Sequence, residues 1–330
     1  MSKWSALFKL PKVYRLLKKW RDTQTNYLNQ NTLPEVDAFF TDESLNQKDR
    51  DKIEKYYGLG VPAIIGEFIC FLRNQEMSLT ERKASTYQGV ITGLFDDLFD
   101  EKEADDSYIL DLMNHPYEHV CKEQYEALIC HSFAQFDQVI TDHQMLQKVM
   151  KQIYDVQVLT RIQTNDDIDR ELLLQITKDK GGHSVVFFVL PFVQSMTQHE
   201  IDAWYKVGAA MQYGNDLFDV YKDSQAGIYT LPILNTNLSR TKQEITQLLN
   251  DAMKALSNLP YSKGKIEFFK STFLFAMARC FVCLEQFENL LPDQNAPFQV
   301  ENYSRSELIC DMEKPKNLWK SVQYFLKYYS

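Results

Sequence analysis

Apolar residues recur at three- and four-residue intervals along almost the whole of this chain, and no strand-like alternation interrupts them. Eleven Gly and ten Pro in 330 residues leave few places to break a helix. The period predicts helices over 12–30, 46–57, 61–76, 79–101, 116–141, 142–160, 167–178, 184–194, 198–224, 241–257, 262–290 and 304–329. Some of these are expected to be segments of one kinked helix. Four Ser/Thr-x-x-Glu pairs, Ser78–Glu81, Thr197–Glu200, Thr241–Glu244 and Ser304–Glu307, read as capping boxes at helix starts. Prolines 34, 62, 116, 191, 232, 260, 292 and 315 fall at expected helix ends or starts. There is no βαβ order, no internal repeat and no low-complexity tract, and the loop at 291–300 is too short to link domains. The expectation is one all-α domain over 1–330, a helical bundle in which residues 1–60 form an N-terminal helical segment that either caps the cavity or binds a partner.

Charge narrows the function. The net charge is −9, which argues against nucleic acid as a partner because that needs a basic surface. An anionic substrate stays open, since a divalent metal reverses the field of a carboxylate site. Cys280-x-x-Cys283 lies in the apolar run 271–284 without a second Cys or His pair to complete a zinc set, so buried reduced thiols are expected. No apolar run reaches bilayer length and no signal-peptide core is visible. These features give a cytoplasmic expectation. Residues 1–21 carry seven Lys/Arg and no acid, with Val13, Leu16, Leu17 and Trp20 on one stripe. That segment either packs on the body or makes a weak membrane-surface contact that collects an apolar substrate.

Two acidic segments carry the candidate chemistry. In the first, Phe95-Asp96-Asp97-Leu98-Phe99-Asp100-Glu101, the pairs Asp96/Asp100 and Asp97/Glu101 each share a helix face. Like charges at that spacing repel, and at a helix C-terminus the macrodipole disfavours them further. In the second, Asn215, Asp219 and Asp223 stand at i, i+4 and i+8 and stack three oxygen side chains on one face. A hard cation such as Mg²⁺, which shares its shell with substrate phosphates, would relieve both.

Asn215-Asp-Leu-Phe-Asp219-Val-Tyr-Lys222-Asp223 resembles the Asn-Asp-x-x-Ser-x-x-Lys-Glu metal motif of bacterial terpene cyclases, with Asp219 in place of Ser and Asp223 in place of Glu. Extended through Gly227-x-Tyr229-x-Leu231-Pro232, it also resembles the second motif of squalene and phytoene synthases. Asp96-Asp97-x-x-Asp100-Glu101 resembles the first aspartate-rich motif of both groups, about 120 residues upstream. The resemblance covers roughly residues 79–232. It implies a class I isoprenoid (terpene) synthase: an all-α bundle around a central cavity. In that family pattern Asp96, Asp97, Asp100, Glu101, Asn215, Asp219 and Asp223 hold three Mg²⁺, with Mn²⁺ as a substitute, against a prenyl diphosphate. Lys222 and one of Arg170, Lys178 or Lys180 would bind the diphosphate. Gly181-Gly182 would break a helix upstream of the second motif, and Tyr229 and Arg305 would complete the substrate contacts. Tyr303-Ser-Arg305 runs in the reverse order to the family's Arg-Tyr pair, and Arg279 is the other cation considered.

The Cys-Arg pair that squalene and phytoene synthases carry before the first motif is Thr92-Gly93 here. That shifts the expectation from head-to-head condensation to ionisation followed by cyclisation or rearrangement. A condensing or chain-elongating prenyltransferase is the alternative enzyme, and a helical scaffold the non-enzyme alternative. Gly89 and Gly93, one turn apart, give either close helix packing or room for a hydrocarbon longer than ten carbons. Phe95, Phe99, Tyr87, Phe187, Phe188 and Phe218 are either core or ring faces near a carbocation. His183 is either structural or a proton acceptor. A homodimer is compatible with the sequence.

Overall fold

The computed structural model describes residues 10–100, 104–293 and 296–328, and for Asp100 only the backbone. Among the described residues there are fourteen helices and no strand, with 77% of residues helical. The all-α expectation therefore holds. Two compact units are present. One comprises Pro11–Gln157 and Phe187–Met196; the other comprises Val158–Val186 and the described residues from Thr197 on, with Leu10.

The first unit is built from α1 (Leu10–Tyr27), α2 (Gln47–Arg73), α3 (Leu79–Asp100), α4 (Asp106–Asn114), α5 (Gln124–Asp137) and most of α6 (His143–Thr160). α3 is its axis. Ala84, Tyr87, Val90, Ile91, Leu94 and Leu98 are buried at three- and four-residue spacing. The Ser78–Glu81 box caps its start: the Ser78 amide donates to the Glu81 carboxylate at 2.9 Å, and the Glu81 amide to Ser78 Oγ at 3.2 Å. α2 is long and apolar enough to cross a membrane by length and composition, yet much of it is inside the fold. It passes through π turns at Lys52–Tyr56 and Val61–Gly66. Pro62 lacks the N–H that would normally bond the Gly58 carbonyl. That carbonyl instead accepts from Gln24 Nε2 on α1 at 2.9 Å. The Gln24 oxygen in turn accepts from Arg82 on α3 (3.0 Å), and Arg82 pairs with Glu67 on α2 at 2.5 Å. One buried polar chain thus ties three helices and leaves its groups satisfied, which a buried ion pair requires.

The α1 stripe is spent inside this unit. Val13 and Trp20 are buried, and Trp20 meets Phe68 edge-on at 4.8 Å. The other two stripe residues, Leu16 and Leu17, are half-buried. Residues 1–9 lie outside the described residues.

The second unit contains most of α7 (Arg170–Val189), with α8 (Gln198–Phe218), α9 (Val220–Gln225), α10 (Leu231–Leu234), α11 (Leu238–Leu256), α12 (Lys263–Glu288), α13 (Arg305–Leu308) and α14 (Pro315–Tyr328). α12 is apolar nearly all round and is its core helix: Phe269, Phe273, Met277, Phe281, Leu284 and Phe287 are all buried. Cys280 and Cys283 sit on it as buried free thiols, and burial pushes the Cys280 thiol up to about 12.

Several helix boundaries differ from expectation. The predicted break at Gly181-Gly182 is absent, because α7 runs unbroken through it. A Cβ on Gly181 would lie 2.2 Å from the Gly208 carbonyl oxygen, and one on Gly208 would lie 2.1 Å from that of Gly181. The glycines let α7 and α8 touch backbone to backbone. Thr241 starts no helix. α11 begins at Leu238, capped by Asn237, whose side chain accepts from the Ser239 amide at 2.9 Å; Thr241 is buried one turn in. The predicted 116–141 helix starts only at Gln124, where Glu123 forms a capping box with Glu126, and α4 precedes it unforeseen. The 304–329 stretch splits: Ser304–Glu307 caps a single turn, and Pro315 opens α14.

Candidate functional site

The second acidic segment ends α8, whose start is fixed by the Thr197–Glu200 capping box. Helical bonding carries on past its last residue. The Asp219 amide donates to the Asn215 carbonyl (2.9 Å) and the Asp223 amide to the Asp219 carbonyl (2.8 Å), although Asp219 itself sits at φ −92°, ψ 7°. The stripe therefore survives the change from α8 to α9. Asn215 is exposed, and its Nδ2 lies 3.4 Å from Asp219 Oδ2. Lys222 Nζ stands 4.0 Å from the same oxygen with its side chain 79% exposed.

Beneath the stripe lies Asp216, which the sequence reading did not select. It is buried, accepting from Gln212 Nε2 at 2.8 Å and from Thr177 Oγ1 on α7 at 3.1 Å. Burial pushes its carboxyl up to about 6, against the pull of those donors and of Lys180. Asp223 is pushed up to about 7, chiefly by burial and then by the charges of Asp216 and Asp219; Lys222 and Lys180 oppose this. The carboxylates of this segment thus repel one another with too little positive charge nearby. Among the described residues no three His, Cys, Asp or Glu side chains are spaced to enclose a metal ion by themselves. The donor set is nonetheless all oxygen. It suits Mg²⁺, which takes one or two carboxylates and completes its shell with water and phosphate oxygens.

The first acidic segment is more fully engaged. Asp96 accepts from Tyr57 Oη at 2.9 Å and from Gln157 Nε2 at 2.6 Å. Asp97 is only 2% exposed and pairs with Lys52 of α2. Glu101 and the side chain of Asp100 lie outside the described residues. The space beside Gly89 and Gly93 is filled. A Cβ on Gly89 would come within 2.4 Å of the Tyr57 carbonyl oxygen, and one on Gly93 within 3.1 Å of the Tyr57 ring. The packing reading of these glycines replaces the hydrocarbon reading. Phe95 and Phe99 pack edge-on and tilted against Phe133 (6.1 Å) and Tyr154 (5.9 Å).

The predicted substrate-binding cations separate. Arg170 pairs with Glu244 and reaches Asn235 Oδ1 at 3.3 Å; Glu244 also accepts from Tyr213 (2.7 Å) and Arg240 (3.2 Å). This network joins α7, α8 and α11 and leaves Arg170 a structural part. Lys178 and Lys180 are half-buried on α7, and Lys180 is the one whose charge is felt at Asp216 and Asp223. Arg279 and Arg305 are exposed. Tyr229 is held by its backbone, its amide donating to the Gln163 carbonyl at 2.7 Å. Gly182 faces the Tyr205 ring. His183 lies 3.4 Å from Asp179, which also accepts from Tyr205 Oη at 2.6 Å, the structural reading of that histidine. The donors to Asp216, half-buried Gln212 and buried Thr177, had no signal in the sequence. Comparison with family models, with curated proteins and with solved structures finds no match to this chain.

Proposed function

We propose that this protein binds a prenyl diphosphate through Mg²⁺ at the second acidic segment, ionises it, and lets the allylic cation cyclise or rearrange. The carbon–oxygen bond breaks, the diphosphate leaves with the electron pair, and the final cation either loses a proton to give a hydrocarbon or adds water and loses a proton to give an alcohol. One observation carries the reading: Asp216, Asp219 and Asp223 crowd together, and burial, then the charges of Asp216 and Asp219, hold Asp223 near 7 against the pull of Lys222 and Lys180. A solvated acidic helix end would not be partly buried and held up in this way. Asn215, Asp219 and Asp223 are the ligands of this reading, and Lys180 and Lys222 orient the diphosphate. Bound Mg²⁺ would supply positive charge to the departing diphosphate. Asp96 stays outside this ligand set, its carboxylate engaged by the Tyr57 hydroxyl and the Gln157 amide. Asp97, already paired with Lys52, is assigned instead to holding α2 on α3.

The test is incubation with Mg²⁺ and single radiolabelled prenyl diphosphates of increasing length, read by gas chromatography. A hydrocarbon or alcohol formed with stoichiometric diphosphate supports the proposal. A strict need for isopentenyl diphosphate turns it to chain elongation. No product, together with no thermal shift from Mg²⁺ and pyrophosphate, leaves the helical scaffold.

A further inference from the structure

α14 packs one side on α12. Ser321 and Phe325 are buried, Phe275 meets Phe325 edge-on at 5.8 Å, and Tyr328 stacks on Phe281 at 4.4 Å. That stripe is all a surface helix needs to hold itself in place. α14 carries a second one. Leu318 is 52% exposed and Trp319 61% exposed. Val322 and Leu326, one and two turns beyond Leu318, continue the same side and are half-exposed.

The charges carried by α14 itself are all positive, with Glu285 of α12 and the preceding loop as the acidic border. Lys314, Lys316, Lys320 and Lys327 fall within residues 314–328, and no Asp or Glu does. Lys320 is paired with Glu285 at 2.7 Å, while Lys314, Lys316 and Lys327 are exposed. Asp311 and Glu313 are the nearest acids in the sequence, in the loop before the helix. In a chain of net charge −9 this is a local basic face around an exposed Trp–Leu edge. A second copy seated here about a two-fold axis would set lysine against lysine. A surface that is anionic outside and apolar beneath meets both features.

We propose that α14 docks the protein on an anionic lipid surface. Leu318, Trp319, Val322 and Leu326 enter the headgroup layer, and Lys316 and Lys327 face the lipid charges. This stands independently of the reaction proposed above. The test is co-sedimentation of the full chain with vesicles of phosphatidylcholine alone or mixed with phosphatidylserine. Binding is expected only to the mixed vesicles and to fall with salt. K316E/K327E is expected to lower it at least about 25-fold, from roughly fivefold per lysine lost, and L318N/W319S to lower it more than about tenfold. All the replaced side chains are exposed, so the circular dichroism of both variants should match the wild type. Equal sedimentation with both vesicle types overturns the proposal, as do variants that bind like wild type. A dimer in sedimentation velocity that L318N/W319S abolishes overturns it in favour of a second copy.

A second site lies in the other unit. The Cys121 and Cys130 sulfurs are 3.6 Å apart, with Cys121 exposed in the loop before α5 and Cys130 half-buried on α5. We infer that these thiols close a disulfide under oxidation by a low-molecular-weight disulfide. The Cys121 thiolate attacks glutathione disulfide and releases one glutathione thiol. Cys130, whose thiol burial holds in the protonated form, gives up its proton as it displaces the second, so that two thiols are oxidised and one disulfide is reduced to two. The bond would pin the loop after α4 to α5. Intact-mass and peptide analysis of protein treated with glutathione disulfide should show a Cys121–Cys130 linkage and no retained glutathione, whereas Cys130→Ser should retain glutathione on Cys121. Wild-type protein that keeps glutathione on Cys121, or that links neither cysteine, overturns the inference.

Discussion

Replacing Asp223 by Asn should make the metal-free protein more stable at alkaline pH while abolishing its response to Mg²⁺ and pyrophosphate. Burial and the neighbouring Asp216 and Asp219 raise the Asp223 carboxyl from 3.8 to about 7. At 1.36 kcal/mol per unit this is an upper bound of about 4 kcal/mol held against the ionised form. Asp223 is only partly buried, and solvent screening brings the expected effect to about 1–2 kcal/mol. The sign follows from linkage: the folded state binds the proton more tightly than the unfolded one. The contribution is therefore fully present below about 4 and is lost as pH rises through 7. The wild type minus variant difference should be near zero at pH 4 and favour Asp223→Asn by about 1–2 kcal/mol at pH 8. At this chain length that is about 1.5–3 °C in melting temperature, from the usual unfolding entropy per residue. Differential scanning fluorimetry across pH, with and without Mg²⁺ and pyrophosphate, reads both effects. A variant no more stable than wild type at pH 8, with a difference that does not vary with pH, would refute the idea that these carboxylates crowd one another. A variant that still gains stability from Mg²⁺ and pyrophosphate would remove Asp223 from the ligand set.

Gly208→Ala should destabilise by about 1–3 kcal/mol, because its Cβ would lie 2.1 Å from the Gly181 carbonyl oxygen and force α7 off α8. Gly264→Ala, which meets nothing within 4 Å, should instead stabilise by about 0.5 kcal/mol; urea midpoints distinguish the two. Gln24→Leu should cost about 1–3 kcal/mol in the same assay, since it strands the Gly58 carbonyl and takes a partner from Arg82. Lys180→Ala should weaken the pyrophosphate response and leave the ligand-free melting temperature nearly unchanged. Arg170→Ala should lower that temperature without any ligand, because it strips the half-buried Glu244 of its ion-pair partner. The reverse pattern would return Arg170 to the diphosphate.

What could be read from one sequence here was periodic or local. The helical class follows from three- and four-residue spacing, a property of a single face. The start of α3 at Ser78–Glu81 and that of α8 at Thr197–Glu200 follow from side chains that bond their own backbone three residues away. The same pattern misled at Thr241–Glu244, where Glu244 is claimed by Arg170 and Tyr213 from other helices and by Asn235 from the loop after α10. The Asn215–Asp219–Asp223 stripe was legible because one helix repeats it, and the structure keeps the spacing across the change from α8 to α9.

Partners distant in sequence were not legible. Nothing local marks Lys52 as the ion-pair partner of Asp97, Gln157 as the donor to Asp96, or Gln24 as the cap for a carbonyl freed by Pro62. The glycines show the division most plainly. The sequence by itself determined that Gly89, Gly93, Gly181 and Gly208 leave bare patches on helices. Only the tertiary structure decided that Tyr57 covers the first two and that the last two bring α7 and α8 into contact. A missing side chain creates space, and whatever packs there from far along the chain decides what the space is for.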